Sequence, residues 1–265
     1  MATKSLKRSQ DGYIYHSYGK LKYLKSVIAS VTSLKKFDKN HPVALVCDQN
    51  HRELIKKYQL ESFFDKVIPL NSSHCSITGF KHNTHEYLIF DRNLFLDSDI
   101  IWCKNPDTLW KTFSPYSYTT TGNLTADAFF GSHKDYKILG DLIFNKRKKT
   151  LKKFGLTYLS RVQAGMIFCQ DRDTTKQVNE LAKKYLSQID DTHFRSRKNE
   201  KGRSEESCEW SLAMAMAKLG LMVTPWHWGT ESPQIVYVSD FVEHDKDFNH
   251  VKCTYYTDLF MENLK

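Results

Sequence analysis

Two carboxylates one residue apart, Asp97 and Asp99, stand at the end of the apolar run Leu94-Phe95-Leu96. In extended backbone alternate side chains share a face, so an Asp-x-Asp pair can turn both carboxylates toward one point. Two convergent hard oxygen donors suit Mg²⁺ or Mn²⁺. An ion held there can bridge the phosphates of a diphosphate leaving group and neutralise charge as the bond to it breaks. Asp-x-Asp is short and common, and it also reads as two solvated aspartates closing a strand. Its weight comes from context: an apolar strand precedes it, and a βαβαβ pattern precedes that strand.

Other residues offer compatible chemistry, each with a plainer reading beside it. Tyr15 and Tyr18 can stack on a nucleobase, although strands bury tyrosines routinely. Asp48 can bond a base edge or a ribose, or simply form a turn. Arg92 can steady a diphosphate through charge-assisted bonds or be solvated. Glu206 and Glu209 can orient or deprotonate an acceptor hydroxyl, or act as helix-start acids. Trp226 and Trp228 flank His227 and can wall a sugar or fill a core.

The elements that must position these groups alternate in type. Gly12 to Tyr18 reads as a strand and Leu21 to Phe37 as a helix, with Leu24, Val27, Ile28, Val31 and Leu34 on one face. Val43 to Cys47 is a continuous apolar run, as buried parallel strands are. Arg52 to Leu60 is a predicted helix and Lys66 to Leu70 a third strand. Further on come an apolar segment from Leu88 to Leu96, a strand near Tyr116 to Thr121, a helix from Asp135 to Asn145, a strand from Val162 to Cys169 and a helix near Thr174 to Ile189. Asp190 to Arg203 is polar, basic and aperiodic, the expected mobile loop. Ser204 is the predicted cap of a helix carrying Glu205 and Glu206 at its start and ending at Gly220. The expected class is α/β, a central mixed but mostly parallel sheet flanked by helices.

Length and composition agree with a globular enzyme. The chain has 265 residues, 40% of them apolar and 13% aromatic. That suits one domain with a sizeable core and excludes a disordered chain. No apolar run reaches the ~18–20 residues needed to span a bilayer. No secretory segment is visible, so the expected compartment is the cytoplasm, and the Asn71-Ser72-Ser73 and Asn123-Leu124-Thr125 sequons read as chance. Six cysteines contain no Cys-x-x-Cys pair, which removes zinc-ribbon and thioredoxin-like readings. The net charge of +9 gathers in Lys146 to Lys153 and Arg195 to Arg203. These clusters read equally as solvated loops or as a surface for an anionic partner.

The stretch Tyr87-Leu88-Ile89-Phe90-Asp91-Arg92-Asn93-Leu94-Phe95-Leu96-Asp97-Ser98-Asp99 closely resembles the metal-binding segment of GT-A glycosyltransferases, nearest the glycogenin-like and lipopolysaccharide-sugar-transferase group. Gly12 to Tyr23 resembles that family's first strand and loop, which implies base and ribose contacts for Tyr15, His16, Ser17, Tyr18 and Tyr23. Val43 to Asp48 resembles the second strand. The resemblance also implies a diphosphate-sugar contact for Arg92, Asp97 and Ser98. Gln163-Ala164-Gly165-Met166-Ile167-Phe168 is similar to the strand near the acceptor, and Glu205 to Leu219 to the acidic helix that follows it. The match spans roughly residues 12–225. Gln163 stands where the family often has Asn, and Glu205-Glu206 where many members have Asp-Gln. The C-terminal His-x-x-Gly-x-x-Lys-Pro-Trp segment that often supplies a third metal ligand is absent. Among His227, His244 and His250, His244 is the expected replacement.

The resulting expectation is a single domain over residues 1–265, with a nucleotide-sugar half over about 12–110 and an acceptor half over about 111–265. It moves a sugar from a nucleotide diphosphate sugar, a UDP-sugar first, to a glycan or other hydroxyl acceptor, using Mn²⁺ or Mg²⁺. Asp97, Asp99 and His244 are the expected metal ligands, and Glu206, Glu209 and Gln163 the expected catalytic residues. Two other classes use the same features. A nucleotidyl- or phosphotransferase would use the carboxylates, but the haloacid-dehalogenase pattern Asp-x-Asp-x-Thr fails at Ile101. A nucleic-acid-binding protein would use the basic clusters, but no such motif accompanies them.

Overall fold

A computed structural model describes residues 11–126, 145–194, 196, 198, 205–225 and 235–237. The chain opens with β1 (Asp11–Ser17), α1 (Leu21–Phe37), β2 (Val43–Cys47), α2 (Gln49–Lys57), β3 (Lys66–Pro69) and a short α3 (Ile77–Lys81). It continues through β4 (Arg92–Leu96), β5 (Ile100–Trp102), α4 (Asp107–Phe113), β6 (Tyr118–Ala126), α5 (Lys146–Phe154), β7 (Ser160–Cys169), α6 (Arg172–Leu186), α7 (Glu209–Lys218), β8 (Thr224–Pro225) and β9 (Ile235–Tyr237). Seven strands form one sheet in the order β3-β2-β1-β4-β7-β6-β8, and β5 pairs with β9 in a second. The first four strands run parallel; β7 is antiparallel to both β4 and β6.

Period-two alternation sends β1 side chains to two cores. Tyr13 and Tyr15 join a cluster under α1, and Ile14 joins another under α6 and α7. The predicted stripe Leu24, Val27, Ile28, Val31 and Leu34 is fully buried. Each such side chain contributes about 1.5–3 kcal/mol by leaving water.

Several boundaries differ from the sequence expectation. α2 starts at Gln49 rather than Arg52, because the Asp48 carboxylate caps it by accepting from His51 N–H. Only Arg92–Leu96 of the long apolar segment is strand, since the Asn93 side chain draws the amides of Ile89 and Phe90 into a local turn. Lys146 to Phe154 is a helix, not a loop. Its Leu151 and Phe154 pack on the second core, which outweighs the repulsion along its basic face. α7 begins at Glu209 behind Cys208, so Glu205 and Glu206 precede the helix and do not serve its first turn. Gly220 ends it in the left-handed region at φ 68, as expected. The predicted helix at Asp135 to Asn145 lies outside the described residues except at its last position. Half of the predicted loop at Asp190 to Arg203 also lies outside them, and Ile189–Asp191 forms a 3₁₀ turn. No described helix is long and apolar enough to cross a membrane.

Candidate active site

Strand order reverses at β1: β2 lies on one side and β4 on the other. Loops therefore part beyond the carboxyl ends of β1 and β4, and open α/β sheets bind ligands in such crevices. The register Tyr15↔Leu96 sets His16 beside Asp97, the first residue after β4.

Asp97 is held on both sides. Its backbone N–H donates to Gly165 O of β7 at 2.9 Å. Its Oδ1 lies 2.7 Å from the Lys81 ammonium, with the two side chains 26% and 8% exposed. Burial alone would lower the Lys81 pKa. The Asp97 carboxylate overrides that and holds it above the ordinary lysine value, with Cys208 and Glu209 adding to the effect. Lys81 is thus a charged ammonium in a largely dehydrated place, where a charge acts more strongly than in water. His16 stacks on Phe80 with ring centroids 4.1 Å apart. Burial pushes its imidazole down to about 4, against the pull of Asp97 and helped by Lys81. It is a neutral wall beside the charged pair.

Asp97 and Asp99 do not alternate along an extended strand as expected. β4 stops at Leu96, and Ser98-Asp99 forms a turn into β5. The two carboxylates therefore stand on either side of Ser98 at the start of this turn and not on one face of a strand.

Several expected contacts fall elsewhere. Tyr15 is fully buried, with its hydroxyl 2.8 Å from Ser30 Oγ and accepting from Trp102 Nε1 at 3.1 Å. It is a core residue, because position 15 faces α1. Ser17 is buried too, its Oγ bonded to His51 Nδ1. Asp48 spends one oxygen on His51 N–H and the other on Gly19 N–H, each at 2.8 Å, so it shapes the loop after β1. Arg92 begins β4, roughly 16 Å from Asp97 at ~3.3 Å per residue. It forks onto Asp11 at 2.5 and 2.6 Å, at the far edge of the sheet, and so cannot serve the crevice.

Of the other expected contacts, His16 lies beside Asp97, and Tyr18 and Tyr23 follow β1 in sequence. Tyr18 donates its hydroxyl to Glu205 Oε2 at 3.2 Å, and Tyr23 is 41% exposed. Gln163 folds back on its own strand: its Oε1 accepts from Gly165 N–H at 2.9 Å and Thr121 Oγ at 3.1 Å. It braces the register shift between β6 and β7, one peptide away from the carbonyl that holds Asp97. Glu206 bonds Ser196 Oγ and Ser207 N–H, whereas Glu209 lies close enough to Lys81 to help hold it charged. Among the described residues no three His, Cys, Asp or Glu side chains are grouped to hold a metal. His244, with His227, His250, Trp226 and Trp228, lies outside the described residues.

Sequence reasoning passed over Lys81 and Phe80. They sit between β3 and β4 in a stretch without periodicity, and one lysine among 39 basic residues carries no signal. Only the fold brings it to Asp97.

No protein-family model and no curated protein matches the sequence. Solved structures do match in fold. The galactosyltransferase LgtC, in complex with donor and acceptor sugar analogs, is 13% identical with a TM-score of 0.50, over 80% of this chain and 72% of that one. Mouse xyloside xylosyltransferase 1, in its apo form, is 13% identical with a TM-score of 0.51, over 80% of this chain and 84% of that one. The architecture is that of GT-A glycosyltransferases.

Proposed function

We propose that this chain is a glycosyltransferase that moves a sugar from a nucleotide diphosphate sugar, a UDP-sugar first, to an acceptor hydroxyl. The observation that carries the reading is the Lys81–Asp97 pair at the carboxyl ends of β1 and β4, next to the Ser98-Asp99 turn, in a chain with this fold. The donor set there is of hard oxygens, which fits Mg²⁺ or Mn²⁺. Lys81 engages Asp97 Oδ1; Asp97 and Asp99 are the residues that would hold the cation. A metal bound there would supply counter-charge to the departing diphosphate.

The protein's own groups have separate tasks in this scheme. Lys81 presents a second, fixed positive charge to the phosphates, already oriented before reaction by Asp97. His16 stays neutral and, with Phe80, limits water at that side. Tyr18 and Tyr23 offer ring faces to the base. Glu209, near Lys81, orients the acceptor hydroxyl. Gln163 braces the strand whose carbonyl positions Asp97.

A donor panel tests the reading: release of nucleoside diphosphate from UDP- and GDP-sugars, with Mn²⁺, Mg²⁺ or excess EDTA. The expected result is turnover of at least one UDP-sugar with Mn²⁺ and none in EDTA. Absence of turnover and of binding across the panel would remove the transferase reading; full turnover in EDTA would remove the metal from it.

A further inference from the structure

Glu205 belongs to the segment leading into α7, yet its carboxylate reaches across to the other wall of the crevice. Its Oε2 accepts from the Tyr18 hydroxyl at 3.2 Å and from the Ile77 backbone N–H at 2.5 Å, partners 187 and 128 residues away in sequence. Both partners are donors, and a backbone N–H can only donate. Whatever sits against this pair must therefore present an acceptor. The side chains around them are apolar and open: Tyr23 is 41% and Ile77 40% exposed, and the Tyr18 ring lies stacked at 6.3 Å from His16. Two convergent donors bordered by flat apolar surface suit a planar ring with a carbonyl oxygen on its edge. The contact also has an electrostatic cost. Burial and the Glu205 charge together push the Tyr18 hydroxyl pKa well above the ordinary tyrosine value, so Tyr18 remains a donor at any ordinary pH.

We propose that Glu205 is a competitive placeholder, whose carboxylate takes the hydroxyl of Tyr18 and the N–H of Ile77 that the nucleobase of the donor uses. This rests on reading the crevice as a nucleotide-sugar site. Donor binding then displaces Glu205. It thereby releases the segment before α7 from the donor wall, which couples donor entry to the element that carries Glu209. A nucleobase with a ring carbonyl, such as uracil, replaces the carboxylate oxygen with another exocyclic oxygen; adenine has only its ring nitrogens as acceptors and no carbonyl on its edge, so it fits the pair less well. The sign of the effect separates this role from an ordinary binding role. Removing a competitor strengthens donor binding, whereas removing a ligand contact weakens it.

The test uses the full chain with Glu205→Ala and Glu205→Gln. UDP and ADP are titrated with Mg²⁺ by calorimetry, and exchange of the Ile77 amide is followed without and with nucleotide. UDP binding is expected to tighten roughly three- to tenfold in Glu205→Ala, the scale of one partly exposed charge-assisted bond. Glu205→Gln should gain less, because its amide oxygen still accepts. The Ile77 amide should exchange faster in Glu205→Ala and regain more protection with UDP than with ADP. Unchanged or weaker UDP binding in Glu205→Ala overturns the proposal, as does unchanged Ile77 exchange. If neither wild type nor variant binds any nucleotide, the donor-site reading itself falls and takes the placeholder with it. Ile77 exchange would still report the Glu205 contact, which separates that failure from the first.

Discussion

The central strands carry a charged cluster at each end, and the two clusters are built differently. At the amino ends, Asp38 accepts from the Tyr13 hydroxyl at 2.7 Å, contacts the His41 ring at 2.6 Å, and takes the N–H groups of Asn40 and His41. Asp11 takes the Arg92 fork, and Trp110 donates to the Tyr13 hydroxyl at 2.9 Å. Acids, bases and hydroxyls there satisfy one another, so nothing is offered to a ligand. At the carboxyl ends, Lys81 pairs with Asp97, which remains 26% exposed. The Tyr18–Glu205 contact stays half-exposed nearby. Density of charge does not distinguish a structural knot from a site. What distinguishes them is whether the charges are already spent on each other.

The largest expected difference lies in turnover. Asp97→Asn keeps shape but removes charge, and it should lower kcat roughly 10²- to 10³-fold, the scale for removing one preorganised electrostatic contact. Asp38→Asn, at the other end, should leave kcat within about twofold, a ratio far below one kcal/mol. Donor turnover by both variants in parallel measures this; equal losses would erase the contrast between the ends.

Stability should show the opposite ranking. Asp38→Asn disturbs four bonds in a dry knot and should cost about 1–3 kcal/mol in urea unfolding. Asp97→Asn still leaves Lys81 a neutral acceptor and weakens one pair instead of four bonds, and should cost less. A larger loss at Asp97 would mean that the crevice pair is itself a structural staple.

A histidine near each end titrates with opposite sign. Burial pushes His82, next to Lys81 and bonded to Ser211, down from 6.5 to about 4. The unfolded chain therefore binds its proton more readily, so stability falls as pH drops from about 6.5 toward 4. The Asp38 hydrogen bond raises His41 above 6.5, against burial. Its contribution is complete below 6.5 and is lost as pH rises through the folded value. Burial opposes ionisation of Asp38, but His41, Tyr13 and two backbone amides override it and hold Asp38 below the ordinary carboxylate range. That contribution persists above the ordinary range and disappears only as pH falls through the depressed value. Urea midpoints across pH 4–9 should show both limbs, and His41→Gln should flatten the alkaline one alone. A variant whose alkaline limb is unchanged would assign that slope elsewhere.

The smallest effect belongs to Arg92. Arg92→Met breaks a fork between side chains 30% and 11% exposed, and should cost about 1 kcal/mol with no change in nucleotide affinity. Weakened binding would restore Arg92 to the donor site.

How far the sequence could be read follows from the range of the forces involved. α1 and β2 lie where periodicity places them, because the burial of Leu24, Val27, Ile28, Val31 and Leu34 is a local pattern that a local window detects. The carboxylate pair announced the end of β4 for the same reason. What failed was direction and distance. Tyr15 and His16 are neighbours in sequence, yet one is sealed under α1 while the other reaches the crevice, and a one-residue choice of face decides it. Arg92 and Asp97 share a motif, yet they sit at opposite ends of one strand. Lys81 and Glu205 have no local signature for these contacts, since Lys81 meets Asp97 only across β4 and Glu205 meets Tyr18 only 187 residues away in sequence.

The bond from Asp97 N–H to Gly165 O also says something about time. β4 pairs with β1 on one edge and with β7 on the other, so the carboxylate next to it is steadied only when a much later part of the chain arrives. During synthesis the opening βαβαβ unit emerges first, with β4 as an exposed edge able to pair with the wrong strand. Closure by β7 is a non-local event and therefore slow. A ribosome-bound chain that stops before β7 should carry the recognisable Asp-x-Asp motif and no competent crevice, so competence arrives in one step rather than growing with length.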